Sequence, residues 1–401
     1  AGTCPWNAAC RVATGTPRCA HAAPGPVRAR LLLVHRLCGL CRGKRPPVCC
    51  PDRASVRAVF AASAGTVNVG NANTADLNLT GDTAEYFDIN QYSLKNSPWL
   101  DYHSYLTKNM SKIVGADKSE VVVMNSLTTN LHLLMISFFK PTKEKYKILI
   151  DIPAFPSDKY AVQSQLKFHG LNPIKDLVEI STLNNDICIS NDDMLNQIES
   201  NINNVAMILL SGVNYYTGQL YDIKSIAKLA KKNNCIIGLD LAHATGNVEL
   251  ELNKWNIDFA AWCGYKYLNG GPGAPSGIYV NKKFHDYDLN RLEGWWGHDK
   301  ETRFDPPNLF NPIKGAEAWQ LSNPPILSMA ALRSSLDLFN EVGMNTLRNK
   351  GIKLTNYMEM MIQSLNNKNI SIITPSEENN RGSHLSIKIN STNNNIEQSL
   401  K

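Results

Sequence analysis

The chain has 401 residues with 43% hydrophobic content, enough for one large α/β domain and a smaller second one. No segment is long and apolar enough to span a bilayer, and Leu31–Val34 falls far short. The formal net charge of +6 arises in residues 1–65, which hold ten Lys and Arg against one acid, so the remainder is slightly acidic and gives no argument for nucleic acid or membrane.

Residues 1–65 are rich in Ala, Arg, Pro and Cys, and seven of the ten cysteines lie there. Three explanations stay open: an acid-poor targeting peptide, a small metal module using Cys38, Cys41, Cys49 and Cys50, or sequence foreign to the rest, the last being favoured. The cysteine spacing fits no zinc pattern well, and no metal site is expected. Cys188, Cys235 and Cys263 look like thiols of a reducing compartment, so the expected location is the cytoplasm, or mitochondria if residues 1–65 are a transit peptide. Residues 66–84 read as a linker. A large domain is expected over 85–325 and an incomplete small domain over 326–401.

From residue 85 the pattern becomes regular. Tyr102–Val114 predicts a helix, Glu120–Met124 a strand and Leu127–Phe139 a helix. Tyr146–Asp151 predicts a strand, followed by a helix near Asp158–His169. Val205–Leu210 predicts a strand and Ile223–Lys232 a helix. Cys235–Leu239, Phe259–Cys263 and Ser276–Val280 read as strands. Strands alternating with helices imply a mostly parallel central sheet flanked by helices. After Pro324-Pro325, helical patterns run over Ile326–Asn340 and Asn345–Leu365. Leu385–Ile389 is an apolar strip expected to lack partner strands.

Chemistry concentrates at predicted strand ends, where open α/β sheets place ligands. Asp240 closes an apolar strand, His243 follows one helical turn later, and Lys266 follows the next strand. A Lys amine that can form a Schiff base and an acid that can keep a pyridine nitrogen protonated are the complementary groups of pyridoxal 5'-phosphate (PLP). Taken singly, each residue is better explained as a strand-capping Asp or a surface Lys; together, at two strand ends, they favour the cofactor reading. Met124–Asn130 joins a strand to a helix whose first N–H groups can bind phosphate, though an ordinary Ser/Thr N-cap looks the same. Phe155 can stack on a flat ring or belong to the core. Ser211 adds a hydroxyl at the same edge, and His243 can bond the cofactor, position a substrate or be a satisfied core histidine.

These segments resemble the kynureninase family, PLP-dependent enzymes of fold type I. The resemblance runs through Met124–Met135, Ala154–Asp158, Ser211–Gln219, Asp240–Leu250, Tyr265–Asn269, Gly294-Trp-Trp-Gly-His298 and Leu321-Ser-Asn-Pro-Pro325. It implies hydrolysis of L-kynurenine or 3-hydroxy-L-kynurenine to anthranilate or 3-hydroxyanthranilate and L-alanine. It implies that Lys266 carries the cofactor and moves protons and that Asp240 meets the pyridine nitrogen. Leu127, Thr128 and Tyr265 would meet the phosphate, Phe155 would stack on the ring, and Asp158, Ser211 and His243 would complete the shell. Trp295 and Asn323 would arrive from a second subunit, Asn323 at the substrate ring, which implies a homodimer. Tyr92 stands where animal members have a substrate-contacting His.

The sequence departs from the pattern in two further places. A Gly-Asn-Ser-Leu-Gly segment near the family's start has no convincing counterpart. The chain ends at Lys401, short of the family's Arg that clamps the substrate carboxylate; Arg381 lies nearby without a matching motif. Three readings follow: a working kynureninase, a PLP-binding remnant with little or no activity, and a cysteine desulfurase-like enzyme. The last needs a mobile Cys after the Lys, and none lies beyond Cys263.

Overall fold

In the computed structural model, residues 100–182, 186–305 and 309–390 are described. The expectations for residues 1–65, for the linker 66–84 and for Tyr92 fall outside them.

Among the described residues, seven strands form one sheet: β1 (Val121–Val123), β2 (Lys147–Asp151), β3 (Leu177–Ile180), β4 (Val205–Ser211), β5 (Ile236–Asp240), β6 (Phe259–Trp262) and β7 (Gly277–Val280). Their spatial order is β1-β7-β6-β5-β4-β2-β3, and only β7 runs antiparallel to its neighbours. The sheet is therefore mostly parallel, as the alternation of strand and helix patterns implies.

Strand residues alternate between two cores, as the two-residue period of a strand requires. Leu149, Ile208, Leu210, Ile237 and Leu239 face one side, where they meet α1 (Ser104–Val114), α4 (Asn191–Asn201), α5 (Ile223–Lys232) and α6 (Ile326–Val342). Ile148, Ile150, Met207, Leu209 and Phe259 face the other, against α2 (Leu127–Phe138) and α3 (Pro156–Phe168). Burial on both faces explains why the central strands read as unbroken apolar runs. Gly238 in β5 allows the Phe259 ring to lie against the backbone, since a Cβ there would come within 2.1 Å of a ring carbon.

Helix ends follow their local chemistry. Asp222 caps α5 by accepting from Ser225 N at 3.1 Å, and the buried Ile223, Ile226, Ala227 and Ala230 share one face. Gly115 ends α1 at φ +63°, pressed so closely on Leu250 and Glu251 that no side chain fits. Beyond α6, the long helix α7 (Met344–Ser364) leads to an antiparallel pair, β8 (Ile370–Ile372) with β9 (Ile387–Ile389). The apolar strip at Leu385–Ile389, expected to lack partner strands, thus has one in β8, although Ile387 and Ile389 stay exposed.

Candidate active site

The C-terminal ends of β2, β4, β5 and β6 open onto a cavity of about 420 Å³. Parallel pairing brings Ser211 at the end of β4 level with Asp240 at the end of β5, and Asp240 level with Ala261 of β6. Lys266 leaves the loop after β6 and enters the same cavity. Of the residues predicted for the site, Leu127, Thr128, Phe155, Asp158, Ser211, Asp240, His243, Tyr265 and Lys266 all line it.

Lys266 Nζ lies 3.0 Å from His243 Nε2 and 5.6 Å from the centre of the Phe155 ring. An ammonium has only donors, so His243 Nε2 accepts. Burial, then the Lys266 charge and His384, hold the His243 imidazole down at about 4, so the ring is neutral near pH 7. Asp240 is fixed by Ala242 N, which donates to its Oδ1 at 2.7 Å. Asp158 stands beside Asp240 and is hydrogen-bonded to it. Burial first, and the Asp240 charge second, push Asp158 up to about 10, so Asp158 keeps its proton at neutral pH. Asp158 Oδ1 is buried without a protein partner among the described residues.

The other end of the cavity suits an anion. Helix α2 begins at Leu127, and its N-cap Ser126 makes no capping bond, which leaves first-turn N–H groups available. The Thr128 and Ser157 hydroxyls lie 2.8 Å apart beside them. Tyr265 is half exposed. Its hydrogen bond with Cys263, and then burial, push the phenol up to about 12, so it is a donor at neutral pH. Half-exposed Phe155 presents its ring to the cavity, held edge-on by Tyr215 at 5.3 Å. An acidic pair, an amine, a flat aromatic face and a hydroxyl-lined helix start fit PLP, whose parts are a pyridine nitrogen, an aldehyde, a ring and a phosphate.

Trp295 and Asn323 do not join this group. Trp295 is partly exposed, with its Nε1 donating to Arg303 O at 2.7 Å, and Asn323 is exposed. Neither lines the cavity of their own chain. Arg381 is also elsewhere: it is 2% exposed and bound to Glu359 Oε2 at 2.7 Å, Asn356 Oδ1 at 2.7 Å and Pro375 O at 3.1 Å.

Sequence reasoning missed several participants. Asp151 ends β2 just as Asp240 ends β5, so the strand-end signal was available for it. Its buried carboxylate accepts from Ser211 N, Ser211 Oγ, Asn214 Nδ2 and Tyr221 OH, at 3.0, 2.6, 3.0 and 3.0 Å. Ser157 and Tyr215 lie inside the Ala154–Asp158 and Ser211–Gln219 segments but carried no assigned role, whereas His384 gives no local signal.

A profile of the family Aminotransferase class-V matches residues 101–400. The chain is 49% identical over 300 residues to a protein named kynureninase from Koribacter versatilis, covering 75% of this chain and 71% of that one. A kynureninase from Myxococcus xanthus is 47% identical over 292 residues, covering 73% and 68%. Among solved structures, a cysteine desulfurase from Thermococcus onnurineus superposes with a TM-score of 0.59 at 18% identity, covering 72% and 69% of the two chains. An alanine–glyoxylate aminotransferase from Nostoc gives 0.53 at 15%, covering 85% and 80%. At such identities these two report a common fold.

Proposed function

This chain belongs to the kynureninase family, and on that premise we propose that it hydrolyses L-kynurenine or its 3-hydroxy form to the corresponding anthranilate and L-alanine, with Lys266 as the reactive amine. The observation that carries the reading is one cavity holding the Lys266 amine against His243 and the Asp158–Asp240 pair beside it.

When bound, PLP supplies an aldehyde that accepts amines and a protonated ring that accepts electrons. Asp240 would face the pyridine nitrogen, with Asp158, which keeps its proton, beside it. First-turn N–H groups of α2, with Thr128 and Tyr265, would hold the phosphate, and Phe155 would cover the ring. Lys266 Nζ takes the substrate Cα proton and returns it later. Neutral His243 offers Nε2 to that amine without adding a positive charge beside it. In the net reaction water adds its oxygen to the aryl carbonyl carbon, the Cβ–Cγ bond breaks, and the aryl carboxylate and alanine leave.

Two residues support a homodimer. Trp295 and Asn323 stand on the surface outside their own cavity, so they are assigned to a partner's cavity. The desulfurase reading finds no support at Cys263, which is 1% exposed and paired with Tyr265, and no cysteine follows it in the sequence.

The test is a visible spectrum with PLP, followed by product analysis with kynurenine. A cofactor band that Lys266→Ala abolishes, with anthranilate and alanine released, is the expected result. A band without either product would overturn the assigned activity.

A further inference from the structure

His384 belongs to none of the groups assigned above, yet it closes a ring of polar side chains behind Lys266. Its segment is stitched to the turn after β4: Gly382 N donates to Gly218 O at 3.1 Å, and Leu220 N donates to Asn380 O at 2.9 Å. Ser383 N donates to Asn247 Oδ1 at 2.9 Å. These bonds set the His384 ring between two others. Tyr267 OH lies 3.2 Å from His384 Nδ1, and the His243 ring is 6.0 Å away between centroids. Tyr267 follows Lys266 in sequence, and His243 meets Lys266 Nζ at 3.0 Å, so the circuit is complete.

Two buried nitrogens in it have no protein partner among the described residues, His243 Nδ1 and His384 Nε2. Because His243 Nε2 accepts from Lys266, the His243 proton sits on Nδ1, and that N–H needs an acceptor. A ring nitrogen lies little more than an ångström from its centroid, so the two rings are too far apart for a direct bond. A bridging water satisfies two nitrogens that cannot bond each other directly. Gly218 packs tightly against both groups, since a Cβ there would stand 2.8 Å from His384 Nε2 and 3.0 Å from Thr374 Oγ1, so these two polar atoms lie close to one point. Thr374 Oγ1 already accepts from Ser386 N at 2.8 Å and keeps a free lone pair for a water.

We propose that His384 is a positioning residue for Lys266: through one bridging water it fixes His243 as the Nδ1–H tautomer, so that the Nε2 lone pair faces the amine. The inference rests on the reading of Lys266 as the reactive group, but its structural claim concerns His243 alone and is measured without cofactor.

The experiment is long-range proton–nitrogen spectroscopy of the full chain, labelled at histidine with nitrogen-15, at neutral pH. The His243 signals are identified by their loss in His243→Gln. Wild type is expected to show His243 as the Nδ1–H tautomer. His384→Leu is expected to give a mixture of tautomers, and His384→Gln, which keeps a hydrogen-bonding group, to restore the single form. In the PLP-loaded enzyme, His384→Leu is expected to lower kcat on the order of ten-fold with KM little changed, and His384→Gln to recover most of it. Should His384→Leu fail to fold, Tyr267→Phe removes the anchor of His384 and is expected to disturb the same signals. An Nε2–H tautomer in wild type, or a His243 tautomer indifferent to His384→Leu and Tyr267→Phe, overturns the proposal. Full activity in Lys266→Ala would instead overturn the functional reading and leave the tautomer result standing.

Discussion

Ser211 Oγ donates to Asp151 Oδ2 at 2.6 Å, and Ser211 N donates to the other oxygen of the same carboxylate at 3.0 Å. Two strand ends are thereby clamped by one buried acid, which also takes bonds from Asn214 and Tyr221. Asn214 Oδ1 in turn accepts from Tyr216 N and Thr217 N, so Asp151 sets the course of the turn that carries Tyr215 into the cavity.

Asp151→Asn is therefore expected to destabilise the protein and loosen PLP. The new amide would point N–H groups at existing donors, and a buried unsatisfied group costs about 1–3 kcal/mol. Thermal melts and a PLP titration would check this. An unchanged melting temperature would mean that Asp151 is not the clamp.

Asp158, pushed up to about 10, is expected to tolerate replacement by Asn, because the amide can still donate to Asp240. At saturating PLP, Asp158→Asn should keep kcat within about three-fold, since it copies the protonated acid. Asp240→Asn replaces the acid that faces the ring and should cost roughly a hundred-fold. Steady-state kinetics of the two variants separates the roles, and equal losses would contradict them.

Acid stability should depend on Glu317. Burial alone would raise this carboxyl, but hydrogen bonds and charge from His103 and Lys300 outweigh it and hold the group down at about 2. A folded-state value below the unfolded one stabilises above the ordinary value of 4.5, and that contribution is lost as pH falls toward about 2. Its size is on the order of 1–3 kcal/mol. Glu317→Gln should lower the melting temperature near neutrality and flatten its decline below pH 4.5; parallel melting curves for the two proteins would refute this.

If Asn323 serves a partner's cavity, Lys266→Ala and Asn323→Ala should complement each other. Each variant alone would be inactive or weak. Mixed subunits would contain one site with both native residues, giving up to roughly a quarter of wild-type activity at random exchange. No recovery after verified subunit exchange would place Asn323 in its own chain's chemistry.

The central strands were legible because two-sided burial writes itself as apolar runs, and Asp240 and Lys266 were legible because they end such runs. Strand β3 was not: Leu177–Ile180 includes an exposed Glu179 and lies at the sheet edge, buried only in part. Helix α4 escaped for a similar reason, since only Met194 and Ile198 of its polar sequence are fully buried. The Asp158–Asp240 proximity and the His384 contact depend on residues far apart in the chain, and no local pattern encodes a distance.

The backbone bonds between residues 218–220 and 380–382 tie the surroundings of Lys266 to the order of synthesis. Tyr267 meets His384 across a sequence separation of 117 residues. A nascent chain whose sheet has already formed still presents an open flank behind the reactive amine until that late segment leaves the ribosome and docks. Capture of the cofactor in its final geometry thus belongs to the completed polypeptide, and the sheet alone makes an unfinished vessel for it.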